Sequence, residues 1–600
     1  MNILLIAINA KYIHSNLAVY SLRACAGEYR DAVELAEYTI NNQKDYILEE
    51  LYKRKPDVLC FSCYIWNIDY VTDIAREYKK LCPSVPIWVG GPEVSYEVEA
   101  FLRENPYIDG VMIGEGEDTF RELCAYYHAN PDMDNVNAFK KLADISGIAF
   151  RDDNGSVIFT PARPIKNMSE IPFCYDTLDD FSNRIIYYES SRGCPFSCSY
   201  CLSSVDKTLR FRDTEIVKRE LKFFIDQKVP QIKFVDRTFN CNHAHAMELW
   251  RFIKANDNGV TNFHFEISAD LLNQEELELI SDMRPGLIQL EIGVQSTNEV
   301  TIKEIHRTMK LERLKEVVRL IQSGNNIHEH LDLIAGLPYE DYDSFGRSFD
   351  EIYELKPNQL QLGFLKVLKG SYMFEHATEY GIVYHDKPPY EVMSTKWLSF
   401  DDVIKIKRVE EMLEVYYNSG QFEITMKLME CIFDSAFEFF QELGDFYEAN
   451  GYFGMSHSRI RRCEILLEFL ALYLHGCDSD DMASVGLSGN AGDRDNTDFD
   501  ENAQIYKMIQ ESLIFDLYYR ENCKSRPVWA TDIGSFKHMT HAYCKNGKLS
   551  HVEPFHYIFP DKHTRKLDEL PKYHKEPVWA LFHYDMRDPL DHQALVEYVE

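Results

Sequence analysis

The chain has no apolar run near the roughly 20 residues that a membrane-spanning helix needs, and no basic leader precedes its first apolar stretch, Met1 to Ile8. Both absences argue against insertion and secretion, so the expected location is the cytoplasm, with no membrane partner. Positive charge is also in deficit: 64 Lys and Arg stand against 97 Asp and Glu, a formal net charge of -33. Such a balance repels phosphate backbones, which disfavours nucleic acid and favours a small-molecule substrate. Long internal repeats are absent. The 15 cysteines are scattered through 600 residues rather than packed as a disulfide scaffold, so reduced thiols or metal ligands are expected.

A chain of this length is too long for one core. From Met1 to about Cys124, short apolar runs at Ile3 to Ile8, Val33 to Tyr38, Val58 to Cys63, Ile87 to Val89 and Val111 to Ile113 alternate with amphipathic stretches. That pattern predicts a doubly wound, Rossmann-like α/β domain over residues 1–140. Its fourth and fifth strands run into Gly90-Gly91-Pro92-Glu93 and Gly114-Glu115-Gly116-Glu117, where loops at the carboxyl ends of strands form a ligand crevice. Residues 141–182 are read as a hairpin linker around Asp153-Asn154-Gly155. A second βα series over 183–395 predicts a whole or partial (β/α) barrel, with functional groups where strands end. Beyond about Lys396 the periodicity is helical, at Val403 to Tyr417, Phe422 to Tyr447 and Arg459 to Leu474. The 396–600 region is expected to be mainly helical, with a loop at Asp478 to Asp500 and closing strands near Phe555 to Phe559 and Val578 to His583; it carries no chemical motif.

The most informative segment follows the first barrel strand: Ser191-Arg192-Gly193-Cys194-Pro195-Phe196-Ser197-Cys198-Ser199-Tyr200-Cys201. At this cysteine content a CxxxCxxC arises by chance about 0.01 times in such a chain. A closed structural zinc site needs four ligands, and no fourth is evident near these three. Three thiolates on one loop suit a 4Fe-4S cluster with one iron left open for a substrate.

With this spacing, and with aromatic Tyr200 before the last cysteine, the segment resembles the radical S-adenosylmethionine superfamily. The resemblance implies that Cys194, Cys198 and Cys201 hold a 4Fe-4S cluster, that S-adenosylmethionine chelates its open iron, and that an electron from the reduced cluster breaks the sulfonium C–S bond. It also implies S-adenosylmethionine contacts on later strands, carried over here to Tyr200, Asp236, Glu291 and Gln295. Strand-end polar groups that merely bond the backbone are the alternative for each.

The N-terminal α/β domain and its two Gly-rich loops are similar to those of the cobalamin-binding-domain-containing radical S-adenosylmethionine proteins, over roughly the first 390 residues. That implies a corrin across the strand ends, near Gly90, Gly91, Gly114 and Gly116. In some cobalamin domains an Asp-x-His-x-x-Gly loop supplies an axial ligand; His14 lies at that place without the flanking Asp and Gly. Two other clusters have plainer readings. Cys60 and Cys63 sit on an apolar strand and point to opposite faces, and Cys241, His243 and His245 do not share one helix face. The resemblance implies a cobalamin-dependent methyltransferase acting at an unactivated carbon, with a flavodoxin or ferredoxin as reductant. Radical rearrangement or cyclisation, and a non-catalytic cobalamin or cluster sensor, are the alternatives.

Overall fold

The computed structural model describes residues 1–130, 141–152, 154–475, 501–544, 549–560, 564, 566–567 and 569–599. Asp153 and the acidic stretch Asp478 to Asp500 lie outside them. β1 (Ile3–Asn9) is buried at every position, as a central strand covered on both faces must be. With β2 (Val33–Thr39), β3 (Val58–Ser62), β4 (Ile87–Gly90) and β5 (Gly110–Met112) it forms a parallel sheet in the order β2-β1-β3-β4-β5. The winding reverses between β1 and β3, which opens a crevice at their carboxyl ends.

β6 (Ile148–Arg151) extends this sheet antiparallel to β5, and β7 (Val157–Phe159) adds antiparallel to β6. The hairpin read as a linker is therefore part of the first sheet. Ile148, Ala149 and Phe150 are buried, and a two-stranded hairpin alone has no surface against which to bury them.

In the second unit β8 (Ile186–Tyr188) is followed by a short antiparallel pair, β9 (Ser191–Arg192) with β10 (Arg210–Phe211). Then come β11 (Gln231–Phe234), β12 (Asn262–Ile267), β13 (Ile288–Gln295), β14 (His328–Ala335) and β15 (Gln359–Phe364). The barrel is partial, an open parallel sheet in the order β15-β14-β13-β12-β11-β8. Its inner face is polar. On β13, Ile288, Leu290, Ile292 and Val294 are buried against the outer helices, while Gln289, Glu291, Gly293 and Gln295 alternate with them toward the interior. The first sheet docks on the β8 edge: the Ile185 N–H donates to Ile13 O at 2.8 Å and Ser15 Oγ donates to Ile185 O at 2.8 Å.

After β16 (Val383–Tyr384) and β17 (Val392–Ser394) the chain is mainly helical, at Phe400–Leu413, Glu423–Ile432, Ala436–Ala449, Arg459–His475 and Glu501–Arg520. The periodicity of 422–447 hides a break, because Ser435 caps a new helix and Asp350 of the barrel accepts from the Phe437 N–H at 2.8 Å. β18 (Ser550–Phe555), β19 (Val578–Arg587) and β20 (Ala594–Val599) close the region as an antiparallel sheet. Among the described residues no helix is long and apolar enough to cross a membrane.

Candidate functional site

The cysteine loop is closed by its own backbone. Gly193 has φ 91°, and a Cβ there would stand 2.5 Å from Thr208 O, so the neck closes only around glycine. The Cys194 N–H donates to Asp206 O at 3.2 Å, and Ser204 Oγ lies 2.9 and 2.6 Å from the carbonyls of Cys198 and Cys201. With backbone groups satisfied, the three thiols are left to face a cavity of about 180 Å3. Cys194 and Cys198 are buried, and burial pushes the Cys194 thiol up. Among the described residues no three His, Cys, Asp or Glu side chains converge on a single ion. A cubane, whose thiolates each bind a different iron, does not require that convergence.

Tyr200, Glu291 and Gln295 line the same cavity. Burial alone would raise the Glu291 pKa, but the His264 ring at 3.0 Å and the Lys233 ammonium at 2.9 Å outweigh it and keep the carboxylate ionised. Asp236, expected among these contacts, lines neither this cavity nor the larger one. It is fully enclosed, accepts from the Ser190 N–H at 2.9 Å, Ser190 Oγ at 2.6 Å and Ser191 Oγ at 2.5 Å, and fixes the strand that leads into the cysteines. Burial pushes its carboxyl up to about 6 despite those bonds.

Four polar residues of this wall escaped the sequence reading: Arg237, Glu266, Arg307 and Asp332. Arg307 donates from Nη1 toward Cys198 Sγ at 3.8 Å and to the Tyr200 hydroxyl at 3.3 Å. Asp332 is pushed well up by burial and by the Glu291 and Glu266 carboxylates. Its Oδ1 and the Oε1 of Gln295 are buried without a hydrogen-bond partner, although His330 Nε2 stands 3.2 Å from Asp332 Oδ1 at an unfavourable angle. Both residues line the cavity, and a buried acceptor without a partner is a place that a polar ligand or an ordered water can complete. For Glu266 on β12 and Asp332 on β14 the sequence signal was charge at alternate positions of otherwise apolar strands.

A second cavity of about 1240 Å3 lies between the two sheets, above the ~300–1,000 Å3 of ordinary small-molecule pockets. Gly90, Gly91, Gly114, Gly116 and His14 all line it. The glycines differ in kind. A Cβ on Gly91 would lie 2.4 Å from Cys63 O, so that glycine serves chain packing, whereas Gly114, at φ 76°, has no neighbour within 4 Å and leaves open space. His14 is tied through Nδ1 to the Tyr187 hydroxyl at 2.7 Å, and burial, with Lys11 and Lys233, lowers its pKa. Tyr200, Cys201, Ser203, Arg237, Gln295 and Asp332 line both cavities.

Cys60 and Cys63 belong to the cores on opposite faces of the first sheet, and burial pushes both thiols up. His243 pairs with Glu276 at 3.0 Å, and His245 meets Ser190 Oγ at 3.0 Å with its pKa lowered to about 4 by burial. Both histidines have structural partners.

Comparison with known proteins adds three family matches: the B12 binding domain over residues 3–124, the radical SAM superfamily over 188–352, and a family described only as a protein of unknown function, DUF4080, over 378–593. The chain is 28% identical to 2-(S-pantetheinyl)-carbapenam-3-carboxylate methyltransferase of Streptantibioticus cattleyicolor, over 50% of this chain and 45% of that one. It is 27% identical to the cobalamin-dependent radical SAM methyltransferase TokK of Streptomyces tokunonensis (55% and 49%) and 23% identical to an anaerobic magnesium-protoporphyrin IX monomethyl ester cyclase of Rubrivivax gelatinosus (56% and 60%). It thus spans about half the length of the first two relatives. Two solved structures share the fold. The radical S-adenosylmethionine methyltransferase TsrM of Kitasatospora setae has TM-score 0.52 and 18% identity, over 65% of this chain and 82% of that one. The cobalamin-dependent S-adenosylmethionine radical enzyme OxsB has TM-score 0.54 and 14% identity, over 86% and 80%.

Proposed function

We propose that this chain, which joins a B12-binding domain to a radical SAM domain, is a cobalamin-dependent radical S-adenosylmethionine enzyme that methylates an unactivated carbon of a small molecule. The observation that carries this reading is the shared wall: the cavity of the thiols and the cavity of the Gly-rich loops meet at Tyr200, Cys201, Gln295 and Asp332. A substrate there would reach both cofactors without leaving the protein.

Cys194, Cys198 and Cys201 would hold a 4Fe-4S cluster. The first-sheet loops, with Gly114 and His14 among their residues, would hold cobalamin. When bound, these groups supply one-electron reduction of S-adenosylmethionine and methyl carriage, neither of which a side chain provides. The protein's own part is placement. Arg307 supplies a fixed cation beside the thiols, Gln295 and Asp332 offer acceptors to a ribose or an amine, and Glu291 stays ionised through Lys233 and His264. Apolar side chains of the larger cavity, among them Leu333, Phe364 and Leu365, would limit water beside the reacting carbon. A cytoplasmic setting and a flavodoxin or ferredoxin as electron donor complete the reading.

The test is anaerobic incubation of reconstituted protein with a strong reductant, hydroxocobalamin and S-adenosylmethionine labelled in its methyl group. Label in the retained corrin together with 5'-deoxyadenosine in solution is the expected result, and Cys198→Ala should abolish the deoxyadenosine. Deoxyadenosine with no label in the corrin would shift the reading to radical cyclisation, which the similarity to the cyclase favours.

A further inference from the structure

Two arginines face each other across the neck of the cysteine loop. Arg192 of β9 and Arg210 of β10 are cross-strand partners, a pairing that like charges destabilise. One carboxylate lies between them, and it comes from the other sheet. Glu115, in the loop after β5, accepts from Arg210 Nη1 at 2.6 Å and stands 3.3 Å from Arg192 Nη1. Its second oxygen accepts from the Lys166 N–H at 3.2 Å. Arg192 is also bonded by Glu117, the first residue of the helix that follows (Glu117–Ala129), at 2.8 Å and by Glu189 at 2.9 and 2.7 Å, and Arg210 by Asp206 at 2.9 Å.

The cluster is shielded: side-chain exposure is 24% for Glu115, 21% for Arg192 and 13% for Arg210. Charges this enclosed are screened far less than surface pairs. Burial would raise the Glu115 pKa, yet the two guanidinium groups outweigh it and hold the carboxylate below its ordinary value. The placement is equally specific. Gly114 and Gly116 flank Glu115, and Glu115, Glu117 and Arg192 all line the large cavity, while Arg192 is the residue before Gly193-Cys194.

We propose that Glu115 is a positioning residue that neutralises the neck of the cysteine loop from the corrin side, so that ordering of the first-sheet loop by cobalamin tightens the loop that presents the three thiols. The inference rests on the cobalamin reading above. Removing the Glu115 charge leaves Arg192 its bonds to Glu117 and Glu189 and Arg210 its bond to Asp206. The neck loosens while the fold persists.

The experiment is hydrogen–deuterium exchange on the full chain with hydroxocobalamin as the only added probe. In the parent, hydroxocobalamin is expected to slow exchange in 90–96, in 114–117 and also in 193–209. In Glu115→Gln, 193–209 is expected to exchange about tenfold faster and to lose its response, while 90–96 keeps its protection. Combining Glu115→Gln with Arg210→Gln removes the repulsion and should return 193–209 toward the parent rate. A purely structural Glu115 would make the double variant worse than the single one, and that result overturns the proposal. Parent-like exchange of 193–209 in Glu115→Gln with corrin retained overturns the coupling alone. Protection of neither segment in the parent overturns the cobalamin reading with it. If Glu115→Gln does not fold, Glu115→Asp, which keeps the charge on a shorter arm, is expected to give intermediate protection of 193–209, and full parent protection there would count against the proposal.

Discussion

Alanine at Gly91 and alanine at Gly114 separate two roles that look alike in the sequence. Gly91→Ala forces a Cβ to within 2.4 Å of a backbone carbonyl at φ 120°, so a loss of more than about 2 kcal/mol in denaturant unfolding is expected. Gly114→Ala meets no atom within 4 Å and should cost only about 1 kcal/mol, from its left-handed backbone. Its larger effect should be weaker retention of hydroxocobalamin, measured after desalting. Asp332 offers a second contrast. Burial and two nearby carboxylates push its carboxyl well above the usual carboxylate range, which favours the neutral form, so Asp332→Asn should hold S-adenosylmethionine within about threefold of the parent. Asp332→Ala, which removes the polar atoms, should weaken it about tenfold in equilibrium binding. At this scale the cysteine motif was legible because three thiols at a fixed short spacing rarely arise by chance and suit a shared metal group. The bonds of Asp236 were not legible because the direction of a strand-end carboxylate is decided by Ser190 and Ser191, almost fifty residues away in sequence. Arg307 was invisible because it reaches the thiols from beyond the end of β13, with no motif of its own.

Secondary-structure elements were legible where periodicity alone determines them. The buried run of β1 and the alternation along β13 each announce a strand and its faces. Pairing partners were not: the 148–159 hairpin reads the same whether it bridges domains or, as here, adds to the edge of β5. The helix Glu423–Ile432 shows what tertiary contact adds. Its first N–H groups, at Ile424 and Thr425, are accepted by Asp516 at 3.0 and 2.9 Å from the distant helix Glu501–Arg520. Asp516→Asn should therefore cost about 1–3 kcal/mol. The pH dependence has a definite sign. Burial raises the folded pKa of Asp516 to about 6 from an ordinary 3.8, so the folded state holds more protons than the unfolded state between those values. Its stabilising contribution is complete below about pH 4 and declines as pH rises through 6. The penalty of Asp516→Asn should accordingly shrink between pH 4 and pH 7 in paired urea titrations of parent and variant.

For the whole molecule, the division of labour follows from which surfaces meet. The first sheet supplies Gly-rich loops and His14, the partial barrel supplies thiols and polar strand ends, and one wall belongs to both cavities. No described residue beyond Leu368 lines either cavity, so the helical region acts from outside them. The segment between β16 and β17 does reach the site, where the Tyr390 hydroxyl donates to Glu93 of the loop after β4. Tyr390→Phe should leave the fold and iron content unchanged and loosen that loop, seen as faster amide exchange over 90–96. The most direct test of the central claim is electron paramagnetic resonance of the reduced, reconstituted protein before and after S-adenosylmethionine is added. A 4Fe-4S signal that changes on addition, and that is missing altogether in Cys198→Ala, is the predicted result. A signal indifferent to S-adenosylmethionine would contradict the account, because the open iron would then not be where this substrate binds.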